Sequence, residues 1–458
     1  MTYSGKPLPE NPSDDDLKAV CSDYSVMCTT VIRAIVDRYE AAYPFVNTKL
    51  DLITGKNFED DDPIRGKQAV YGWIQGRALE ALAGHARWLA NRDQDELVTR
   101  IGEVLREVLD QLRGMRDRNS GHLSFFMYPD GTPFHLDASG APSPTEAASQ
   151  PYGFSDLFSS KGMFAAARYL GDDEAVTEAR EYIDDVEEAI WDNTFETDQI
   201  SLDPKNPTEP RSGYHAHGPF MIQIGSAAML VQSRHPTAIE RGLCIIEHEI
   251  SSYVSLDGRV RGLEEGDFFE GVDTEGQPYR DDAGVLLSDP GHSLEFVGLA
   301  LKFIHAAREA GDADEDQVER IDDVRKQLPI VLERNFDNGY IPDPGGISKA
   351  FDLVTRTHLN SDMPWWNLPE TIRAAAYGLA SAQDDAEKTL CRRVFRDCHN
   401  AFLGFVRPDL HLMAYQTRDA AGRPVSVIPA TADADPGYHT GLSLIDVIEV
   451  METVPTGG

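Results

Sequence analysis

Residues 291–334 read GHSLEFVGLALKFIHAAREAGDADEDQVERIDDVRKQLPIVLER. In the first half, Phe296, Leu299, Ala300, Phe303, Ile304 and Ala307 recur at steps of three and four. Val318, Ile321, Val324, Leu328, Val331 and Leu332 do the same in the second. Each set is one apolar stripe along a helix. Between them Gly311-Asp312 leaves room only for a tight turn, so the two helices form an antiparallel hairpin. Residues 97–112 show the same stripe in Leu97, Ile101, Val104, Leu105, Val108 and Leu112. Extended along the chain, this periodicity predicts helices over about 15–43, 68–91, 95–116, 155–171, 174–192, 221–233, 236–254, 291–311, 314–334, 366–383, 386–404 and 440–453.

The connections alternate in length. Short turns at Asn91-Arg92-Asp93, Gly171-Asp172-Asp173 and Gly311-Asp312 join one set of neighbours. Long loops at about 44–67, 117–154, 193–220, 255–290, 335–365 and 405–439 join the other, beyond the ~12–15 residues of an ordinary connection. Packed consecutive helices run antiparallel, so all the long loops emerge on one side. Twelve helices in six hairpins predict an all-α fold, an (α/α)6 barrel or toroid with short β hairpins in the long loops. His122–Tyr128, before the turn Pro129-Asp130-Gly131, is one such strand-like piece. No Pro-, Gly- or Ser-rich linker divides the chain, so residues 1–458 read as a single catalytic domain. The helices starting near 68, 155, 221, 291, 366 and 440 follow long loops, and their N-termini should surround one polar pocket.

The chain of 458 residues carries 42 Lys+Arg against 77 Asp+Glu, a net charge of −35. That charge repels phosphate backbones and anionic lipid, so neither nucleic acid nor a membrane surface is an expected partner. Only 11 of the 42 basic residues are Lys. An ordinary acidic enzyme and one adapted to high salt both fit this surface. No run approaches the ~20 continuous apolar residues of a membrane span. The N-terminus, MTYSGKPLPENPSDDD, lacks the basic start and apolar run of a secretory signal. Five scattered cysteines (Cys21, Cys28, Cys244, Cys391, Cys398), with no CxxC pair, read as buried thiols of a cytoplasmic protein. No phosphate-binding glycine loop, HExxH or GxSxG is present, so no nucleotide cofactor and no metal are expected. A homodimer is compatible with the sequence.

The unusual residues gather at the six helix starts. The first holds Tyr71, Trp73, Gln75 and Arg77, an aromatic, amide and guanidinium set suited to stacking on a sugar and bonding its hydroxyls; packing and salt bridges are the plainer roles of the same residues. The fourth reads Asp289-Pro290-Gly291-His292-Ser293-Leu294-Glu295. A helix N-terminus disfavours imidazolium, which would keep His292 neutral, and Glu295 one turn on can orient the ring. A simple N-cap and capping residue is the alternative. The fifth holds the adjacent Trp365 and Trp366, with Glu370 beyond, and the sixth Asp435-Pro436-Gly437-Tyr438-His439 echoes the fourth. His292 and His439 should therefore face each other across the pocket. His215 and His217 precede the third start; no nearby carboxylate completes a metal triad there, and His217 is expected at the substrate.

The runs GWIQGR, DPGHSLEF, MPWWNLPE and PGYHT, in this order on twelve helices, resemble the N-acylglucosamine 2-epimerase superfamily over about residues 65–445. The resemblance implies an (α/α)6 barrel that epimerises or isomerises a free sugar at C1/C2, without metal. By motif it implies His292 and His439 as acid and base, Arg77 on the sugar oxygens and Glu295 in support of His292. Tyr71, Trp73, Gln75, Trp365, Trp366, His217 and Glu370 complete the expected substrate-binding set. The sequence departs from the pattern at the third start, where many isomerases and cellobiose epimerases carry Asn-x-x-x-His and this chain has Gly218-Pro219-Phe220-Met221-Ile222. The choice between a mannose-like aldose and an N-acylhexosamine or disaccharide stays open at this level. A glycoside hydrolase or uronate-processing enzyme on the same toroid is the competing reading, with Glu295 and Glu370 as its carboxylate pair.

Overall fold

The computed structural model describes residues 2–137, 139–145, 151–198, 213–426 and 433–454. Parts of the long loops predicted at 117–154, 193–220 and 405–439 therefore lie outside the described residues. Twelve α-helices appear among those described: α1 (Asp14–Asp37), α2 (Gly72–Leu89), α3 (Asp95–Arg118), α4 (Phe154–Leu170), α5 (Asp173–Trp191), α6 (Gly218–Gln232), α7 (Ala238–Tyr253), α8 (Pro290–Ala310), α9 (Glu315–Gly339), α10 (Asn367–Ser381), α11 (Asp385–Phe402) and α12 (Ser443–Thr453). A π-helical turn, Tyr438–Leu442, leads into α12.

Local chemistry sets the ends. Asp172, Asp314 and Asp384 cap the starts of α5, α9 and α11 through their carboxylates. Gly311 ends α8 at φ 68°, a conformation that costs other residues a steric penalty. Pro329 lies inside α9, which continues to Gly339, five residues past the expected end.

The even-numbered helices α2, α4, α6, α8, α10 and α12 form the inner ring, each packed on the next. The odd-numbered helices lie outside them. Five hairpins close through short turns as expected. The sixth departs from a simple succession: α12 pairs with α1, so the two ends of the chain close the ring. The tightest seam is between α2 and α4. A Cβ on Gly162 would stand 2.0 Å from the carbonyl oxygen of Gly76, so only glycine lets these backbones meet.

Short antiparallel strand pairs decorate the long-loop face. Val70–Tyr71 pairs with Phe126–Met127 (Tyr71 opposite Phe126), and His215–Ala216 with Gly271–Val272 (His215 opposite Val272). Leu287–Ser288 joins Ala350–Asp352 and Thr357–Asn360 in a three-stranded sheet. By length and composition α1 is apolar enough to cross a bilayer, unlike the sequence expectation, but half of that window is buried within the protein. The expected burial is found for Cys28, Cys391 and Cys398; Cys21 is partly exposed and Cys244 exposed, because it lies on the outer side of α7 beside Arg320.

Candidate active site

The N-terminal ends of the inner helices surround a cavity of about 200 Å³. Trp73, Arg77, His292, Glu295, Trp365, Trp366 and His439 all line it, as the sequence motifs predicted. Trp366 stands between the two histidines. Its ring lies 5.4 Å from that of His292, at 29°, and 5.5 Å from that of His439, at 34°.

Each histidine is anchored by its Nδ1 to a carboxylate. Nδ1 of His292 is 3.0 Å from Glu270 Oε2, and Nδ1 of His439 is 2.9 Å from Glu370 Oε1. Among the described residues neither Nε2 has a hydrogen-bond partner. A carboxylate on Nδ1 fixes the tautomer that carries the proton there and leaves Nε2 as the basic nitrogen. The main-chain N–H groups of Tyr438, His439 and Thr440 donate to Asp435, which holds the turn that presents His439.

Two expectations about His292 are corrected here. Its orienting carboxylate is Glu270, from the loop before the helix, and not Glu295. Nor does the helix end lower its affinity for a proton. Burial favours the neutral ring, yet Asp289 and Glu270 outweigh it and raise His292 above its ordinary value. Glu270 also faces His217, with Oε1 3.3 Å from its Nε2, while Glu249 lies 3.3 Å from the other ring nitrogen. Burial alone would push Glu270 up; the two imidazoles hold it well below the usual carboxylate range. His217, buried between two carboxylates, is raised to about 10 despite its desolvation, because Glu270 and Glu249 favour the imidazolium.

His217 thus sits behind His292, with ring centroids 5.7 Å apart, and does not line the cavity. Its expected contact with substrate is corrected: it occupies the N-cap position of α6 with its ring turned to Glu249 and Glu270. The expectation that no carboxylate lies near it is corrected too, since Glu270 comes from a strand pairing invisible locally. His217, Glu270 and His292 have donor atoms within 4.8 Å of one another, as do Glu295, Glu370 and His439. Both sets have metal-ligand chemistry; in the first Glu270 is paired with both histidines, and in the second Glu370 is paired with His439.

Glu370 is buried beneath His439 and paired with Arg373, so it positions the histidine and does not line the cavity. Burial would raise it, but Arg373 and His439 hold it low. Glu295 is raised, by burial first and then by the Glu370 carboxylate, and it faces the cavity. Two further expected contacts are corrected. Tyr71 is fully buried and donates its hydroxyl to the Ile64 carbonyl; Gln75 is spent on both main-chain groups of Val46. Both tie a loop to α2, because side chains two residues apart on a helix point to different sides.

Arg77 is boxed by three rings, its guanidinium 4.0 Å from Phe158 and 5.4 Å from both Trp73 and Tyr438. Among the described residues it pairs with no carboxylate, so its donors are available to an oxyanion in the cavity. Ile222 lines the cavity at the departure noted in the third helix start. The structure adds Lys349, paired with Asp289 and 5.6 Å from the Trp366 ring, and Gln416. No local motif marks either.

No protein-family model matches the sequence, and no curated protein does. The fold itself is shared. A cellobiose 2-epimerase from Bacillus thermoamylovorans matches with a TM-score of 0.67 over 94% of this chain and 99% of that one, at 11% identity. A cellobiose 2-epimerase from Spirochaeta thermophila matches at 0.66 over 96% and 98%, at 13% identity. A D-mannose isomerase matches at 0.60 over 91% and 97%, at 14% identity. The barrel implied by the resemblance to the N-acylglucosamine 2-epimerase superfamily is the barrel found.

Proposed function

We propose that the protein interconverts a free sugar at C1/C2 by histidine acid–base catalysis. The observation that carries this reading is the pair His292 and His439. They flank Trp366 at one cavity, each with Nδ1 on a carboxylate and, among the described residues, Nε2 unengaged. The similarity of fold to two cellobiose 2-epimerases and a D-mannose isomerase supports the same class.

The C2 proton of an open-chain aldose is weakly acidic, so its removal needs a base in contact and a donor for the oxygen that gains charge. His292 Nε2 takes the proton as the C2–H bond electrons form the C1–C2 double bond of an enediolate. Arg77 stabilises the oxyanion, and the Glu295 carboxyl group, which lines the same cavity, relays a proton between O2 and O1. Return of a proton to C1, with the O2 hydroxyl proton passed to O1 as the C2=O bond forms, gives the ketose. Return to C2 from the opposite side, by His439, gives the epimer. No metal enters these steps: two bases and a guanidinium supply the proton transfers and the charge stabilisation.

A cavity of about 200 Å³ lies below the ~300–1,000 Å³ of sites for larger ligands, which favours one sugar ring over two. We therefore read a monosaccharide of the mannose type, isomerised to its ketose, as the substrate. A glycosidase would need both carboxylates at the sugar, whereas Glu370 is committed to His439 and Arg373. His292→Ala and His439→Ala test the reading: each should lower C2 proton exchange by ~10²–10⁴ while leaving the helical spectrum intact. Either variant turning over at near the wild-type rate would remove that histidine from the mechanism.

A further inference from the structure

The inner ring of helices carries two cavities. Where the inner helices finish, on the short-turn side, a second cavity of about 340 Å³ opens. It is separated from the first by buried ion pairs: Lys161 bridges Glu80 at 3.1 Å and the Tyr438 hydroxyl at 2.9 Å, and Arg373 pairs with Glu370.

Three cations converge on this lower mouth, Arg87 from α2, Arg168 from α4 and Lys302 from α8. Lys302 is held by Asp446 at 2.7 Å. Arg87 and Arg168 have no carboxylate within ion-pairing distance among the described residues. Arg168 donates only to the Met229 carbonyl, at 3.4 Å. Burial first, and then the charge of Arg87, lower Arg168 below its ordinary value, so the two guanidinium groups repel. In a chain with 77 acidic against 42 basic residues, two adjacent arginines left without an acid are unexpected. Helix C-termini favour cations singly, but this does not account for the convergence of two unpaired ones on one cavity. The two acids that line it, Glu80 and Asp446, are already taken by Lys161 and Lys302. Glu449 interacts with Arg87 only at longer range. Tyr169 and Gln232 add neutral donors at the rim.

We propose that this lower mouth binds a small phosphate-bearing anion, either inorganic phosphate or a phosphate monoester, between Arg87, Arg168 and Lys302. Two planar guanidinium forks and an ammonium match a tetrahedral oxyanion and relieve their own repulsion when it binds. The site is wired to the upper cavity. Asp446 Oδ2 contacts both Lys302 and, at 3.7 Å, Arg373 Nη1; Arg373 holds Glu370, and Glu370 holds His439. An anion that draws Lys302 away frees Asp446 for Arg373 and loosens the grip of Arg373 on Glu370.

Calorimetric titration with inorganic phosphate and with β-glycerophosphate, at an ionic strength fixed by sodium chloride, tests the site without requiring turnover. Saturable one-site binding of at least one anion is expected, weakened tenfold or more in Arg87→Ser/Arg168→Ser, whose exposed positions leave the fold intact. Binding of phosphate alone assigns the site to the free ion, and tighter binding of glycerophosphate to the monoester. No saturable heat with either anion would overturn the proposal. So would an affinity unchanged in the double variant, or binding lost instead in Arg77→Met, which places the anion in the upper cavity. In the wild type, phosphate should also move the ring resonances of His439, and in the double variant it should not. Binding without that movement would overturn the coupling.

Discussion

Replacing Glu270 by Gln removes the one carboxylate that touches both His292 and His217. In the native protein its Oε2 lies 3.0 Å from His292 Nδ1, and its Oε1 accepts the main-chain N–H of Asp289 at 3.1 Å. At an effective dielectric of about 20, a carboxylate–imidazolium pair at this distance is worth roughly 5 kcal/mol. That is an upper figure, since Asp289 Oδ2 stands 3.5 Å from the same Nδ1 and retains part of the interaction. The amide keeps the shape but can present its NH₂ to Nδ1, which selects the tautomer whose proton sits on Nε2 and disables the base. The expected fall in kcat for C2 proton exchange is ~10²–10⁴, with KM little changed, because Glu270 does not line the cavity. The pH profile supplies a second reading. Glu270 and Asp289 raise His292 above 6.5, so the acid limb of the wild-type rate should lie above that value. Loss of Glu270 should move the limb to lower pH. Proton exchange followed by NMR across pH 5–9, with thermal melts to show that the variant is folded, gives both numbers. A variant within a few-fold of wild type and with an unmoved acid limb would refute the role of Glu270.

His217 predicts a stability profile. Its value of about 10 in the fold, against about 6.5 when unfolded, means that the unfolded chain releases this proton first. Its contribution is full below pH 6.5, erodes as pH rises above it, and is lost beyond about pH 10. Melting temperature should fall across that window, and His217→Asn should flatten the fall. A second stability test lies in the α2–α4 seam. Gly162→Ala sets a methyl against the Gly76 main chain and should cost about 3 kcal/mol or more by urea unfolding. Gly102→Ala, whose Cβ would meet only Tyr169 at 4.0 Å inside α3, should instead stabilise by ~0.5–1 kcal/mol.

The helices were legible because their apolar stripes are long and regular, and their ends fall within a few residues of the predicted ones wherever Asp or Gly caps them. The histidines were legible because Pro-Gly turns announce them. What escaped was the layer behind. Glu270 meets His217 because Gly271–Val272 pairs with His215–Ala216, residues 55 and 57 apart in sequence, and meets His292 because its main-chain N–H donates to the Leu287 carbonyl; neither contact leaves a local periodicity. Glu249 did leave a trace: it lies on the same stripe as Leu243, Ile246, Ile250 and Tyr253, and a carboxylate on a buried stripe needs a charged partner. Glu370 and Arg373 on α10 are a similar case, a buried pair three residues apart. Tyr71 and Gln75 have the residue types of a sugar site but lie off the helix face that Trp73 and Arg77 present to the cavity.

The central claim is proton transfer at C2 by two histidines, and it is tested most directly by incubating the protein, in D₂O with a chelator present, with mannose, glucose, fructose, N-acetylglucosamine and cellobiose. The account predicts loss of the C2 proton signal from mannose with appearance of fructose, no cleavage of cellobiose, and no effect of the chelator. Exchange only with cellobiose or N-acetylglucosamine would overturn the monosaccharide substrate and its isomerisation. Cleavage without exchange, or exchange abolished by the chelator and restored by a divalent ion, would contradict the mechanism itself.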